Sequence, residues 1–281
     1  MHGANKPILL GVDLSYQVYR ASAAFKMLSS GKAFTGGLYG FLITLAKTIR
    51  ETGSNRIVLC QDRKPYKRSE LYPEYKQLRK KNRDDNLLDL YNESMPMVLD
   101  AMHDFGFPIW GVDGFESDDL MGHIVGQHRS RFSMIYAASN DSDLWQLLNC
   151  EWFRVFSDGL KSMMSRDLLM KKLQLTPDEF MLATALSGTH NDIAGIPGCG
   201  EVRSRAAIRD PALMRKYRDA HDALIERNLS LIRLPHPLFP KDEPIPPRMK
   251  SFNARALYKW AGRYDIEITK SMLDAFEQLQ R

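Results

Sequence analysis

The sequence predicts an α/β fold in which a mainly parallel sheet is flanked by helices, and two observations indicate it. Short apolar runs that are typical of buried strands alternate with stretches of helical apolar spacing over the first half of the chain. From about residue 165 onward the pattern becomes helical. Strands that alternate with helices favour a parallel sheet, because parallel neighbours need long crossover connections.

Five apolar runs are predicted as strands of this sheet, and they cover residues 8–12, 56–60, 108–112, 133–138 and 152–156. Helices are predicted over residues 37–49 and 87–105, and another opens at the acidic group that begins with Glu116. Thr176 followed by Pro177, Asp178 and Glu179 is typical of a helix start, because Thr caps and the acids favour the positive helix end. Later helices are predicted over residues 178–186, 202–208, 252–260 and 270–279.

Length and composition favour one continuous core. The chain has 281 residues with 44% hydrophobic residues, and we expect a sheet-containing core over residues 1–164 and a helical part over residues 165–281. No apolar run approaches the ~20 residues that cross a bilayer, so we expect a cytoplasmic monomer without membrane contact. The three cysteines are far apart and form no CxxC pair, which argues against disulfides and structural zinc.

A basic segment interleaved with tyrosines follows the second predicted strand. Between residues 63 and 83, nine Lys or Arg residues stand against only Glu70 and Glu74. A solvated helix face is the ordinary interpretation of such charge. The interleaved aromatic rings instead favour a nucleic-acid strand, since rings stack on bases and cations meet phosphates. The candidates for DNA contact in this segment are Arg68, Tyr75, Lys80, Lys81 and Arg83.

Acidic residues stand at or just after the ends of four successive predicted strands. They are Asp13, Asp62, the group Glu116, Asp118 and Asp119, and the pair Asp141 and Asp143. A single Asp after a strand is more often a helix cap than a ligand. Four such positions at one sheet edge instead indicate a shared site, because ligands bind at the carboxyl ends of parallel strands. Oxygen ligands suit Mg²⁺ or Mn²⁺, and two such ions can promote phosphodiester hydrolysis.

A glycine-rich turn lies between two predicted helices of the second half. It contains Gly195, Gly198 and Gly200, and Arg203 and Arg205 follow in the next helix. An ordinary tight turn is one interpretation. Close backbone approach at glycine and the free N–H groups of a helix start also suit a DNA phosphate. Such a helix–hairpin–helix would hold the DNA backbone without reading bases.

These segments together resemble the 5′-nuclease family of flap endonucleases, 5′-nuclease domains of bacterial DNA polymerase I and stand-alone bacteriophage 5′-exonucleases. The resemblance covers about residues 9–200, and its length looks most like the bacteriophage type. Its most specific motifs are Leu71-Tyr72-Pro73-Glu74-Tyr75-Lys76 with Arg79, Glu116-Ser117-Asp118-Asp119-Leu120, Asn140-Asp141-Ser142-Asp143, and the glycine turn at 195–200.

The resemblance implies a PIN-like sheet, a helical arch within about residues 63–105, and a helix–three-turn–helix element around the glycine turn. It implies a structure-dependent 5′-nuclease that hydrolyses DNA at or near 5′ ends, as a 5′-3′ exonuclease, a flap endonuclease or both. The expected partners are DNA 5′ ends, flaps and duplex junctions, in the cytoplasm of a bacterial or phage-infected cell.

The resemblance also implies roles for single residues. Two divalent ions are expected, one held by Asp13, Asp62, Glu116 and Asp118, the other by Asp141 and Asp143 with Asp119 close by. Lys76 and Arg79 match cations that contact the scissile phosphate, Tyr75 matches an aromatic that stacks on the terminal base, and K⁺ is expected at the glycine turn.

One stretch departs from the family pattern. The usual Gly-Asp-x-x-Asp-Asn-Ile is replaced by Gly188-Thr189-His190-Asn191-Asp192-Ile193, which is one residue shorter and lacks the first Asp. Asp192 is the only acid available there, so it is assigned to the second metal. Two alternatives stay open: a PIN-type ribonuclease, and a DNA-junction binding protein that does not cut.

Overall fold

The structure is a computed structural model that describes residues 6–77, 84–157, 162–189, 192–245, 249 and 251–279. Its strands, numbered in chain order, are β1 (Ile8–Asp13), β2 (Ser29–Ser30), β3 (Ala33–Phe34), β4 (Arg56–Cys60), β5 (Ile109–Trp110), β6 (Met134–Ala138), β7 (Phe153–Ser157) and β8 (Ser162–Met164).

The helices of the first half are α1 (Leu14–Ala24), α2 (Gly36–Thr52), α3 (Lys67–Leu71), α4 (Asp85–Phe105) and α5 (Ser117–Gln127). Those of the second half are α6 (Arg166–Leu173), α7 (Pro177–Ser187), α8 (Glu201–Arg209), α9 (Pro211–Ile232), α10 (Ala254–Tyr264) and α11 (Lys270–Gln278). Short 3₁₀ helices cover Arg129–Arg131 and Ser142–Leu147. Among the described residues, no helix combines the length and the apolar character that a membrane crossing requires.

One six-stranded sheet organises the chain, with strand order β5-β4-β1-β6-β7-β8. The pairs from β5 to β7 are parallel, and β8 is antiparallel to β7. In the register of the central strands, Asp13 lies opposite Cys60 and Val12 lies opposite Ala138. The carboxyl ends of β1, β4 and β6 therefore meet at one edge of the sheet, and the residues that follow these strands are brought together there.

Each face of the sheet is covered by its own apolar layer. Leu10 and Leu59 pack on one face against α1, α2, α4 and the two C-terminal helices. Leu9 and Val58, their neighbours along the chain, pack on the other face against α5 and residues from 144 to 173. Because successive side chains of a strand point to opposite faces, both layers need the continuous apolar runs seen in the sequence.

The predicted fold class is confirmed: the sheet is mainly parallel and helices flank it. The predicted strand over residues 108–112 is shorter, since only Ile109 and Trp110 pair with β4. Several elements had no predicted range, namely helices α1, α3, α6 and α9, the hairpin of β2 and β3, and strand β8. The last two are only two or three residues per strand, too short for an apolar period to show.

Helices α1, α2 and α4 come unusually close at Gly37. A Cβ atom built on this glycine would lie 2.1 Å from Ser94 Oγ and 2.9 Å from Ser22 Oγ. These two hydroxyls are themselves hydrogen-bonded over 3.2 Å, and both serines are fully buried. The absence of a side chain at Gly37 is therefore what lets the three helices pack.

We expect Gly37→Ala to destabilise the protein by about 1–3 kcal/mol, because an added methyl group overpacks this contact. The matched control is Gly126→Ala in helix α5, where nothing lies within 4 Å of the built Cβ. There alanine should be neutral or stabilising by up to about 1 kcal/mol. Urea denaturation measures both, and equal stabilities of the two variants would contradict the close packing.

Candidate active site

Six carboxylates gather at the carboxyl edge of the sheet, and we call them the acidic cluster. Its members are Asp13, Asp62, Glu116, Asp118, Asp141 and Asp143. They lie at the end of β1 or follow β4, β5 and β6, so the structure brings these predicted residues to one edge of the sheet. Each shares an electrostatic interaction with at least one other member, and Asp118 feels four of them.

Asp13 is held by the chain that surrounds it. Its Oδ1 accepts a hydrogen bond from Tyr16 N over 3.1 Å and caps helix α1. Its Oδ2 accepts from Ser139 Oγ over 3.2 Å, and the same hydroxyl accepts from Asp141 N over 3.1 Å. Ser139 was not predicted as a site residue, although a serine directly after a buried strand and before Asn140 was the available signal. It links the ends of β1 and β6.

Asp62 is oriented by two donors from different elements. Its Oδ1 accepts from Ser117 N at the start of α5 over 2.8 Å, and its Oδ2 accepts from Tyr66 OH over 3.3 Å. Burial, followed by repulsion from Glu116, raises the pKa of Asp62. The pKa of the Tyr66 hydroxyl is also raised, first by burial and then by Asp62, so Tyr66 stays a donor.

Glu116 is the member of the cluster that binds cationic side chains of the protein. Its carboxylate accepts from Tyr75 OH over 2.7 Å, from Arg68 Nη1 over 3.4 Å, and from Lys76 Nζ. Burial alone would raise its pKa, but Lys76 and Arg68 outweigh burial and lower it. The pKa of Lys76 is raised because attraction to Glu116 outweighs burial, which by itself would lower it. Both groups are therefore charged at neutral pH.

At three other carboxylates, burial and mutual repulsion outweigh the interactions that lower the pKa. Burial, then repulsion from Asp62, raises the pKa of Asp13 to about 7. Burial, then repulsion from Asp141, raises the pKa of Asp143 to about 7. The pKa of Asp118 is raised well above its ordinary value by the same two causes, and its Oδ1 is buried without a hydrogen-bond partner. These three acids store unfavourable free energy that a cation would relieve.

The donor set fits hard divalent cations such as Mg²⁺ or Mn²⁺, because it consists of carboxylate oxygens, one of them buried and unpartnered. Across the described ranges, no three His, Cys, Asp or Glu side chains already stand as a metal-binding group. The carboxylates thus repel one another electrostatically, but their oxygens are not arranged around one common point. Like charges without a counter-ion repel each other, and a bound cation would relieve that repulsion.

Asp119 differs from the expectation that it lies among the metal ligands. It is fully buried, and its two oxygens accept from Arg68 Nη1 and Nη2, from Glu116 N over 3.1 Å and from His236 N over 2.8 Å. These bonds occupy the oxygens within the protein. Arg68 likewise does not fit its predicted DNA contact, because it is 4% exposed and paired with Asp119.

Tyr75 and Lys76 also differ from their predicted surroundings. Tyr75 is 5% exposed and packs with Ile193 and Leu231, so its ring does not offer a face to a DNA base in this arrangement. Lys76 binds Glu116 within a narrow cavity that the acidic cluster also lines. Arg79, Lys80, Lys81 and Arg83 lie outside the described residues, and their predicted roles stay predictions.

The glycine turn has the compact backbone that its sequence predicts. Gly198 has φ +73°, which favours glycine, and its carbonyl accepts from Arg203 Nη1 over 2.8 Å. A Cβ on Gly195 would lie 2.3 Å from the carbonyl carbon of Ser187, so the turn lies directly against the end of α7. Gly200 precedes helix α8, and Arg205 Nε binds Glu201 O within that helix. Phosphate or K⁺ binding at this turn stays a prediction.

Asp192 lies at the entrance to this turn with φ +66°, a conformation that few residues other than glycine and asparagine adopt. The next residue, Ile193, lines the same cavity as Asp118 and Asp143. Residues 190 and 191 lie outside the described residues. Asp192 is therefore the sequence neighbour of a residue that lines this cavity. Its assignment to the second metal stays a prediction.

Comparisons with known proteins agree with this geometry. The family model described as 5′-3′ exonuclease, N-terminal resolvase-like domain, matches residues 8–174. DNA polymerase I of Mycobacterium tuberculosis is 27% identical over 230 residues, which are 78% of this chain and 25% of that protein. The 5′-3′ exonuclease of Buchnera aphidicola is 26% identical over 215 residues, 75% of this chain and 71% of that protein.

The chain thus spans about a quarter of the length of the DNA polymerase I relatives that it matches. Among solved structures, the bacteriophage T5 flap endonuclease in a complex with DNA and metal ions has a TM-score of 0.68 at 19% identity. The match covers 98% of this chain and 100% of that one. This likeness shows that the fold is the PIN-like fold of 5′ nucleases.

The raised pKa values predict how the metal-free protein responds to pH. Asp13 and Asp143 have pKa values of about 7 when folded and 3.8 ordinarily, so the folded state binds more protons between these values. Stability must then fall as pH rises through 7. We expect a lower Tm at pH 8.5 than at pH 6.5 in EDTA, and a smaller difference in Mg²⁺.

The Tm comparison starts at pH 6.5 because of His128 and His236, whose pKa values burial lowers. Below pH 6.5 these two histidines make stability rise with pH, which opposes the effect of the acids. As a control, Asp143→Asn should reduce the pH dependence and raise the metal-free Tm at pH 8.5. A metal-free Tm that rises between pH 6.5 and 8.5 would contradict the assignment of uncompensated charge to the cluster.

Proposed function

Since the chain belongs to the 5′-3′ exonuclease family, we propose that it is a structure-dependent 5′-nuclease that uses Mg²⁺ or Mn²⁺. Its substrates would be DNA phosphodiesters at or near 5′ ends, flaps and duplex junctions. The observation that carries the proposal is the acidic cluster: nearby cations outweigh burial at Glu116, whereas burial and repulsion prevail at Asp13, Asp118 and Asp143.

Asp13, Asp62, Glu116 and Asp118 would hold one cation, and Asp141, Asp143 and Asp192 would hold the other. Asp119 is left out of both sets, because its oxygens are engaged by the protein. Two such cations supply an activated water and stabilise the leaving oxygen of a phosphodiester.

Among the residues that the structure describes, Lys76 is well placed to meet the phosphate. It is a cation at neutral pH, because attraction to Glu116 outweighs the effect of burial on its pKa. Its ammonium lies in the cavity that Asp118 and Asp143 also line. A phosphate at the mouth of this narrow cavity would find this positive charge beside the acids, and the charge would stabilise the additional negative charge of the transition state.

The glycine turn would hold the DNA duplex at a distance from the cluster. Gly198 and Gly200 leave room for a phosphate, and the N–H groups at the start of α8 point outward from the helix end. Arg203 and Arg205 add positive charge there. A K⁺ ion shared between the turn and a phosphate is part of the proposal.

Cleavage of RNA by a PIN-type ribonuclease and binding of DNA junctions without cleavage are the competing functions. The second is favoured by one observation, the shortened stretch between Gly188 and Ile193. One experiment separates the three: 5′-flap substrates of DNA and of RNA, labelled at the 3′ end of the cut strand, incubated with Mg²⁺ and with EDTA. Mg²⁺-dependent cleavage products from the DNA substrate alone support the proposal. Binding of the DNA substrate without any cleavage product would contradict it.

We expect Asp118→Asn and Asp141→Asn each to lower kcat by about 100-fold or more, since even groups behind metal ligands contribute about 10- to 100-fold. Binding of duplex DNA should persist, because the glycine turn is unchanged. Asp113→Asn, an exposed carboxylate five residues before Asp118, is the matched control and should leave kcat unchanged. Cleavage within tenfold of wild type in both cluster variants would remove the basis for the metal site.

Asp192→Asn tests the least usual ligand. If Asp192 belongs to the second site, its loss removes one of few anionic ligands there, so the variant should need more Mg²⁺ and recover in part with Mn²⁺. Asp167→Asn, which changes an exposed acid at the start of α6, serves as the control. A normal Mg²⁺ requirement of the Asp192 variant would show that this acid only shapes the loop.

A further inference from the structure

Arg68 is a buried cation whose guanidinium binds the protein on several sides. Nη1 and Nη2 donate to the two oxygens of Asp119 over 2.5 and 2.8 Å. A planar guanidinium that binds a carboxylate through two parallel bonds fixes both distance and orientation. Helix α3, which carries Arg68, is therefore locked to helix α5, which carries Asp119.

Further donors of Arg68 reach the end of helix α9 and the residue after it. Nε donates to Leu231 O over 2.6 Å, and Nη2 donates to Arg233 O over 3.3 Å. On the other side of the ion pair, Asp119 accepts from His236 N over 2.8 Å. One ion pair thus joins three parts of the chain, and Arg68 is 51 residues from Asp119 and 163 from Leu231.

Glu116 lies directly against this ion pair and belongs to the acidic cluster. Its backbone N–H donates to Asp119 Oδ2 over 3.1 Å, and its carboxylate accepts from Arg68 Nη1 over 3.4 Å. The two other donors to Glu116 are Tyr75 and Lys76, which follow α3 directly. Among the described residues, the side chains that donate to the Glu116 carboxylate thus come either from the ion pair or from the segment that follows Arg68.

We propose that Arg68 is a positioning residue for the metal-dependent cleavage. Through Asp119 it fixes the backbone and carboxylate of Glu116 at the edge of the cluster, and through Leu231 and Arg233 it fixes that edge relative to α9. The inference rests on the proposed function. Arg68 acts through Glu116, so its loss should change how the cluster binds metal more than how DNA is held.

An ion pair that only stabilises the fold would behave differently. Loss of Arg68 alone leaves Asp119 as an unpaired buried charge, which is strongly destabilising, whereas loss of both charges is often tolerated. The effect of lost positioning persists when both charges are absent, because Glu116 then loses its bond from Arg68 and the segment that carries Tyr75 and Lys76 is no longer anchored. A variant without either charge therefore separates the two roles.

The experiment compares Arg68→Lys and the double variant Arg68→Met/Asp119→Asn with wild type. Lysine keeps the charge but cannot reproduce the two parallel bonds. The amide that replaces the carboxylate of Asp119 leaves no buried charge unpaired, and its single oxygen still accepts from one of the two backbone N–H groups, that of Glu116 or that of His236. Arg50→Met is the control, because Arg50 binds Ser271 on an exposed surface. Measurements are kcat and KM on a 5′-flap DNA, and the rise in Tm with Mg²⁺, which reports metal binding without catalysis.

We expect both Arg68 variants to fold, to keep KM for DNA within about threefold, and to lose about 10- to 100-fold in kcat, as groups behind metal ligands do. Their Tm should rise less with Mg²⁺ than that of wild type, with a larger Mg²⁺ concentration at half effect. The Arg50 variant should match wild type in all three measurements.

Wild-type kcat and a wild-type response to Mg²⁺ in the double variant would overturn the inference and leave a structural ion pair only. The same result in Arg68→Lys would overturn it as well. A third outcome is that wild type does not cleave, that Mg²⁺ raises the Tm of wild type, and that this rise is smaller in both variants. The positioning of Glu116 then stands and the proposed nuclease activity fails. If wild type neither cleaves nor responds to Mg²⁺, both fall.

Discussion

The constraint on which the site depends is the repulsion between carboxylates that the sheet gathers at one edge. The protein compensates it unequally. Glu116 receives Lys76 and Arg68, and its pKa is lowered although burial acts the other way. Lys76 and Arg68 also act on Asp143, but there burial and repulsion from Asp141 outweigh them and raise the pKa, and burial with repulsion raises the pKa of Asp118 as well. This asymmetry prepares one half of the cluster to stay charged and leaves the other half in need of a cation.

The sheet and its acids could be predicted because both depend on local sequence. A parallel strand buried on two faces must be a continuous apolar run, and β1, β4 and β6 are such runs. An acid directly after each run falls at the carboxyl edge whatever the rest of the chain does. Strand β8 and the hairpin of β2 and β3 could not be predicted, because two or three residues are too few to show a period.

The basic segment shows why the rest could not be predicted. Interleaved cations and tyrosines look alike whether they face DNA or the interior. Arg68 is buried because it binds the carboxylate of Asp119, 51 residues away, and the carbonyl of Leu231, 163 residues away. For Tyr75 it is Glu116, 41 residues away. Nothing in the local pattern marks these partners, so the pattern predicts a surface segment although part of it is buried.

The same buried contacts set the spacing between the glycine turn and the cluster. Asn228, fully buried on α9, donates to Ala185 O over 2.8 Å and to Ala194 O over 3.0 Å, which ties α9 to α7 and to the residue directly before the turn. Three residues further along, Leu231 O accepts from Arg68, which ties α9 to the cluster. Because a helix is stiff over one turn, the two ties keep a nearly constant separation. A duplex held at the turn, as proposed, would then present the acids with a phosphodiester at a fixed distance, so selection of the cleavage position would follow from the fold without any base being read.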